Sequence, residues 1–393
     1  MSYMLRPLAD LCLPSVETVD PKRLPESEFW YVDISAVDNG GKRITAPQRV
    51  KGKNASVRAK QLARANDVIV ATTRPNLNAV AIVPAEYDGQ ICSTGFCILR
   101  SGDELDPNYL FCFVRSRAFV EPLVELTKGA LYPAVTDKQV LAQSIPWTNL
   151  DDQRIIAARL NTQLDEVGTA IAVAQTQAQD ITRIRNRVLQ EFFAGLQDVP
   201  HKVLGDHAPT TSGTTPSRGN KAYWSPAEVP WVKTGEVAFA PITATEESVS
   251  RLALAECSLS LLPPKTVLVA MYGQGKTRGQ SALLEVQATT NQACFAILPN
   301  DTWRPEFLYY WLMASYQYLR DLSEDRGGNQ ANLNGALLKA LTVPAPDHDT
   351  QDRIVKRVRA ALAEVDAMEA ASRQMLKDLE QLPQRILAQA FEN

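Results

Sequence analysis

The stretch VLVAMYGQGKTRGQ (Val267–Gln280) carries the plainest chemical suggestion in the sequence. An apolar run, a turn and then Gly275, Lys276 and Thr277 look like a loop that cradles the phosphates of a nucleoside triphosphate, with Ala270 where that motif has a glycine. Such a loop needs a strand before it and a helix directly after it, so that amides at the helix N-terminus converge on the phosphates. Here Arg278, Gly279 and Gln280 follow, then SALLEV and ATTNQACFAIL, which pattern as strands. Glycine at 279 is also a poor helix start. An ATP-binding enzyme using Lys276 and Thr277 is therefore an alternative and not the leading reading. The same hairpin offers Tyr272, Gln274, Lys276, Thr277 and Arg278, and these types serve another chemistry: Lys and Arg pair with phosphates, while Gln and Arg reach base edges.

A second polar cluster, RGGNQANLNG (Arg326 to Gly335), holds Asn329, Gln330, Asn332 and Asn334. Amides read adenine in a bidentate fashion, but they also close turns onto their own backbone, and both readings stand. A basic run extends from Asn39 to Asn66, with Lys42, Arg43, Arg49, Lys51, Lys53, Arg58, Lys60 and Arg64 and no acidic residue. It is either a solvated face or a phosphate-binding surface.

The elements that position these residues are written twice, at an offset near 199. FWYVDIS (Phe29 to Ser35) sits opposite VPWVKTG (Val229 to Gly235). DVIVATTRPNLNAVAIV sits opposite TVLVAMYGQGKTRGQSALL, each an apolar run, a polar loop and a second apolar run. DPNYLFCFVRSRAFV parallels RPEFLYYWLMASYQYL, and SIPWTNLDDQRIIAARL parallels TVPAPDHDTQDRIVKRV. The counterpart of the Gly-Lys-Thr loop is TTRPNLN, with Thr72, Thr73, Arg74, Asn76 and Asn78 and no phosphate motif. A motif present in one repeat and absent from its twin is a variable loop on a shared scaffold. The counterpart of the amide cluster, KGALYPAVTD, keeps Lys128 and a glycine, adds Tyr132 and lacks the amides. The two repeats therefore would not read the same ligand.

Each repeat ends in a long heptad-patterned helix. In the first, Leu160, Val167, Ala174, Ile181 and Val188 recur every seven residues, joined by Leu164, Ile171, Ala178 and Phe192. In the second, Val358, Val365, Leu379 and Ile386 recur with Met368, Met375 and Leu382, and Ser372 weakens the seam. A heptad period demands a partner helix, and an intervening domain gives the chain room to return antiparallel. Asp151 and Asp152, and Asp349 and Thr350, are suitable N-cap residues. Pro383 is expected to kink or end the second helix near Leu382.

With 393 residues, 45% hydrophobic and 22% charged, the chain is expected to fold as two or three globular domains. The first residues lack the pattern of a signal peptide and no window holds about eighteen apolar residues, so a cytoplasmic protein without membrane contact is expected. Six scattered cysteines fit reduced thiols, and three histidines supply no convincing metal site. A net charge of −3 argues against a bulk electrostatic grip on nucleic acid, although local charge can still act.

The duplicated plan, with GQGKTRG, TTNQA, GGNQANLN, VPAP…QDRIV and ILAQAF, resembles the specificity subunit of type I restriction-modification enzymes. The resemblance implies an α+β chain: two similar target-recognition domains (1–150 and 197–348), each followed by a spacer helix (151–196 and 349–393), the helices pairing as an antiparallel coiled coil in a pseudo-two-fold repeat. It implies that each domain reads one half of a bipartite sequence in double-stranded DNA. It also implies that two methylation subunits, which bind S-adenosylmethionine, and motor-nuclease restriction subunits assemble on the chain, which needs no cofactor or metal of its own. Candidate DNA-binding residues are Lys42, Arg43, Thr73, Arg74, Asn78, Lys128, Tyr132, Tyr272, Gln274, Lys276, Thr277, Arg278, Asn291, Gln292, Asn329, Gln330, Asn332 and Asn334. The (N/D)PP(Y/F) motif of a base-flipping amino-methyltransferase is missing from the sequence; the adjacent prolines are Pro263 and Pro264, in LLPPKT. Chemistry on a flipped base would come from a partner. A protein-only scaffold whose domains never touch DNA is the third reading.

Overall fold

The computed structural model describes residues 4–14, 16–273, 275–324 and 332–392. They divide into two compact units, Met1–Thr176 with Ser372–Asn393, and Gln177–Ala371.

In the first unit an antiparallel sheet runs in the order Phe96–Leu99, Val68–Ala71, Val80–Ile82. Val68–Ala71 is a continuous apolar run, β-branched at Val68, Ile69 and Val70, and is wholly buried, as expected of a central strand covered on both faces. A second sheet places Glu28–Val32 between Gln48–Lys51 and Ile91–Ser93, the last of these running parallel to it. Met4–Pro7 pairs with Ser144–Trp147. The aromatic helix Pro107–Val114 starts with proline at its first position, and the Asp106 carboxylate accepts from the amides of Asn108 and Tyr109.

The second unit repeats the arrangement. Cys294–Ile297, Val267–Ala270 and Ser281–Leu283 take the places of the three strands of the first sheet, and Thr210–Ser212 adds a fourth at its edge. Val229–Val232 runs parallel to Thr289–Thr290, His201–Val203 pairs with Thr342–Pro344, and the aromatic helix is Pro305–Ala314. The duplication extends to single hydrogen bonds. The Gln153 Oε1 accepts from the Asp106 amide at 2.8 Å and its Nε2 donates to the carbonyls of Glu104 and Thr148. Gln351 does the same with the Arg304 amide, at 2.7 Å, and the carbonyls of Thr302 and Pro346. Both glutamines are fully buried, and each ties the first turn of a long helix to the loop ahead of an aromatic helix.

The long helices are Leu150–Ala194 and His348–Phe391. Their caps lie upstream of the expected ones: Asn149 Oδ1 accepts from the Asp152 amide and Asp347 Oδ1 from the Thr350 amide. In the first unit Leu160 and Leu164 share a core with Leu387 and Phe391; in the second, Leu189 shares one with Val358 and Leu362. The start of one helix thus meets the end of the other in both units, which is antiparallel pairing. The seam of the first helix follows the heptads from Leu160 to Ile181, beyond which the buried residue is Leu189 and Val188 is half-buried. In the second it runs through Leu362, Val365 and Ser372, all buried, whereas Met368 and Met375 are 46% and 42% exposed. The partner position after Val365 is four residues on, Glu369, and not three. Glu369 and Asp366 take an ion pair from Arg185, so the seam carries a polar layer there.

Pro383 does not end the second helix, which continues to Phe391. Proline removes one backbone donor and crowds the preceding turn, but the next turns are held by tertiary contacts. Leu387 and Phe391 are buried, and Gln384 Nε2 donates to the Arg115 carbonyl at 3.0 Å.

Among the described residues no helix is long and apolar enough to cross a membrane, and no group of His, Cys, Asp and Glu could hold a metal. Five of the six thiols are buried. Burial pushes Cys12, Cys92 and Cys294 up to about 12 and Cys112 up to about 11. A raised thiol pKa leaves almost no thiolate to react. At pH 8, therefore, iodoacetamide should mark at most the half-buried Cys257 in the native protein and all six thiols in denaturant, as counted by intact mass.

Candidate nucleic-acid interface

In the second unit the loop after Val267–Ala270 is followed by the strand Ser281–Leu283 and not by a helix. Its carbonyls are held from the side. Arg320 Nη1 donates to the Gly275 carbonyl at 2.7 Å, and the Tyr316 hydroxyl donates to the Lys276 carbonyl at 2.6 Å. Arg320 also donates to the Tyr316 hydroxyl at 3.1 Å and lies over the Tyr316 ring. Gly275 and Gly279 adopt φ of +68° and +87°, a region open to glycine at little cost. No helix follows to supply converging amides, so this loop lacks the construction of a nucleotide-phosphate cradle. Tyr272 and Lys276 are exposed, Thr277 is half-buried, and Arg278 is only 8% exposed, so it sits inside the unit.

The end of the amide cluster comes to the same place. The Leu333 amide donates to the Met271 carbonyl at 3.1 Å and its side chain is buried, which anchors the chain beside the loop. Asn332 is half-buried. Asn334 caps the helix Gly335–Lys339, its Oδ1 accepting from the Leu337 amide at 2.9 Å. Gln274, Asn329 and Gln330 lie outside the described residues. Gln292 is exposed and accepts from the Thr215 hydroxyl, and with Tyr272, Lys339 and Thr210–Ser212 it lines a groove of about 550 Å³. Asn291 is half-buried, and its Oδ1 is occupied by the Thr234 hydroxyl and the Ala293 amide.

The first unit uses the same frame with different side chains. Thr73 forms a β-bridge with Ala134, the Arg74 amide donates to the Pro133 carbonyl, and Val135 donates to Thr72. The loop of Thr73, Arg74 and Asn78 is thereby joined to the segment of Lys128 and Tyr132. Arg74 is exposed and Tyr132 is 85% exposed; Lys128 is exposed but pairs with Glu125 at 2.6 Å. Arg74 and Asn78 have φ of +51° and +44°, a left-handed backbone taken here without glycine. Lys42 Nζ donates to the Asn78 carbonyl at 2.6 Å, and Asn78 Nδ2 donates to the Arg115 carbonyl at 3.4 Å. Burial, then the nearby Arg115 cation, lower the Lys42 ammonium to about 8 against the pull of Asp38; burial also lowers Arg115.

Much of the basic run is neutralised by acids from outside it. Arg49 pairs with Glu28, Lys51 and Lys53 with Glu26, and Arg64 with Glu17. Arg43 is exposed in a two-stranded ribbon against Asp38. Four of the eight cations of the run thus sit in exposed ion pairs. The residues that the sequence did not single out are Tyr316, Arg320 and Arg115. A signal existed for the first two: they stand four apart on a helix, Tyr316–Glu324, whose polar face had no other assignment.

The second half of the chain, residues 198–377, matches the family model described as the type I restriction modification DNA specificity domain. The chain is similar to the MjaIX specificity subunit of a type I restriction enzyme from Methanocaldococcus jannaschii, with 30% identity over 158 residues, 39% of this chain and 35% of that protein. The matched part thus spans about a third of that relative's length. It is also similar to a chain solved in work on complex assembly and conformational transition of the type I R-M system, at 27% identity and a TM-score of 0.84, covering 99% of this chain and 97% of that one. The HsdS subunit from Thermoanaerobacter tengcongensis matches at 27% identity with a TM-score of 0.61, covering 99% of this chain and 96% of that one. In its duplicated frame, its paired long helices and these matches together, the chain is similar over nearly its whole length to the specificity subunits of type I restriction-modification enzymes.

Proposed function

We propose that this chain directs a type I restriction-modification complex to a bipartite sequence in double-stranded DNA, each unit presenting its joined loops to one half of the target. The observation that carries the reading is a pair of equivalent loop clusters on one duplicated frame with different side chains: Thr73, Arg74, Lys128 and Tyr132 in one, Tyr272, Lys276, Gln292 and Asn332 in the other. A shared scaffold with divergent tips suits a protein that reads two different half-sites. Lysine and arginine at the tips set affinity and its salt dependence, while amide and aromatic groups supply discrimination.

The chain itself performs no chemistry on the base. Two methylation subunits bind S-adenosylmethionine and methylate N6 of one adenine in each half-site, and motor-nuclease subunits join for cleavage, in the cytoplasm. The paired helices fix how many unread bases separate the half-sites. Removing one heptad from each helix together should change that number and leave both half-sites intact. Sequencing the methylated adenines made by such a variant with its methylation subunits tests this; an unchanged gap would remove the spacer role.

A further inference from the structure

In both units a cation from a distant segment binds a carbonyl of the variable loop. Lys42, 36 residues from Asn78 in sequence, donates to its carbonyl at 2.6 Å; Arg320, 45 residues from Gly275, donates to its carbonyl at 2.7 Å. The two cations stand on unrelated elements, one in a turn before a short strand and one on a helix, so the shared feature is the contact and not the sequence. Each meets the loop at a left-handed residue, Asn78 at φ +44° and Gly275 at φ +68°, where a tight turn leaves the carbonyl outside any sheet ladder. A charge-assisted hydrogen bond is about twice as strong as a neutral one, and it fixes the peptide plane on which the neighbouring side chains stand.

We infer that Lys42 and Arg320, the latter with Tyr316, are loop clamps: positioning residues that set base discrimination in one half-site each without contacting the bases. This assignment rests on the DNA-reading function and adds to it. It moves Lys42 from contact candidate to clamp, because its ammonium is half-buried and already engaged. It also explains how Lys276, whose own carbonyl is held by Tyr316, keeps an exposed side chain on an ordered backbone.

The test uses the complex of the full chain with its methylation subunits and a library of randomised DNA duplexes, from which bound sequences are selected and read. Wild-type complex should enrich two blocks of specified bases. Arg320→Met and the conservative Tyr316→Phe should lower the enrichment of one block at least tenfold and leave the other unchanged. Lys42→Met should do the same to the opposite block, and Arg320→Lys, which keeps a donor for the Gly275 carbonyl, should restore part of the loss. Affinity for random duplex should change less than threefold in every variant. A uniform fall in affinity for all sequences would make these residues phosphate contacts and overturn the clamp, as would unchanged blocks in Tyr316→Phe and Lys42→Met. If the wild-type complex itself enriches no sequence, the DNA-reading function fails and the clamp with it; wild-type selection with unaffected variants defeats the clamp alone.

Discussion

Replacing Phe391 by alanine should destabilise the first unit by about 3–5 kcal/mol, the range for a large aromatic removed from a packed core. Phe391 lies at the end of the second long helix yet belongs to the core of the first unit, where its ring meets Tyr109 at 5.3 Å and Phe113 at 5.5 Å between centroids. Phe113 in turn meets Phe119, so the deletion opens a cavity against the Tyr109 and Phe113 rings inside that core. The last helical turns after Pro383 also depend on this anchor, because proline weakens the helix just where Leu387 and Phe391 must hold it. Hydrogen exchange should therefore show faster exchange in Val68–Ala71, in Phe96–Leu99 and in the helix after Pro383. Protection in Val267–Ala270 should be unchanged. A loss below about 1 kcal/mol, or equal loss in both units, would mean that this end of the helix is not part of the first core.

Gln351→Leu should cost about 3 kcal/mol or more in the second unit, and Gln153→Leu a similar amount in the first. Leucine fills much of the same volume, so the effect isolates polarity. The change strands the Arg304 amide and the carbonyls of Thr302 and Pro346, each previously paired with a fully buried side chain. An unsatisfied buried group costs about 1–3 kcal/mol. Glutamate at this position should do no better, since a carboxylate cannot donate to the two carbonyls. Denaturant melts of Gln351→Leu and Gln351→Glu measure this. If both melt like the wild type, the glutamine is an ornament of the junction and not its latch.

The sequence made the repeat, the paired runs around each loop and the heptads of the first helix legible, because each rests on a local period or on a comparison of the chain with itself. It placed the second helix's seam wrongly at Met368 and Met375. Apolar type suggested those positions, but the actual partner is Glu369, whose carboxylate pairs there with Arg185 from the other helix. The same reasoning explains the caps. Asp151 and Asp349 are good types two residues late, and Asn149 and Asp347 hold the first-turn amides. The helix does not end at Pro383 because a helix breaker acts locally, whereas Phe391 and Gln384 hold the following turns through contacts remote in sequence. At the loops, residue type named Lys42, Arg278 and Asn334 as contacts. The fold gives the first a carbonyl, buries the second and makes the third a helix cap. A cation's employment is fixed by whatever acceptor the tertiary structure brings to it, and no spacing rule shows that.

The central claim is that this chain alone chooses where the complex acts. Its most direct test is a genome-wide map of N6-methyladenine in cells that make the methylation subunits with and without this chain. The account predicts a bipartite motif, two short specified blocks separated by a fixed number of unread bases with one methylated adenine in each, present only when the chain is made. Methylation that is unchanged by the chain, or that follows one continuous motif, would contradict it.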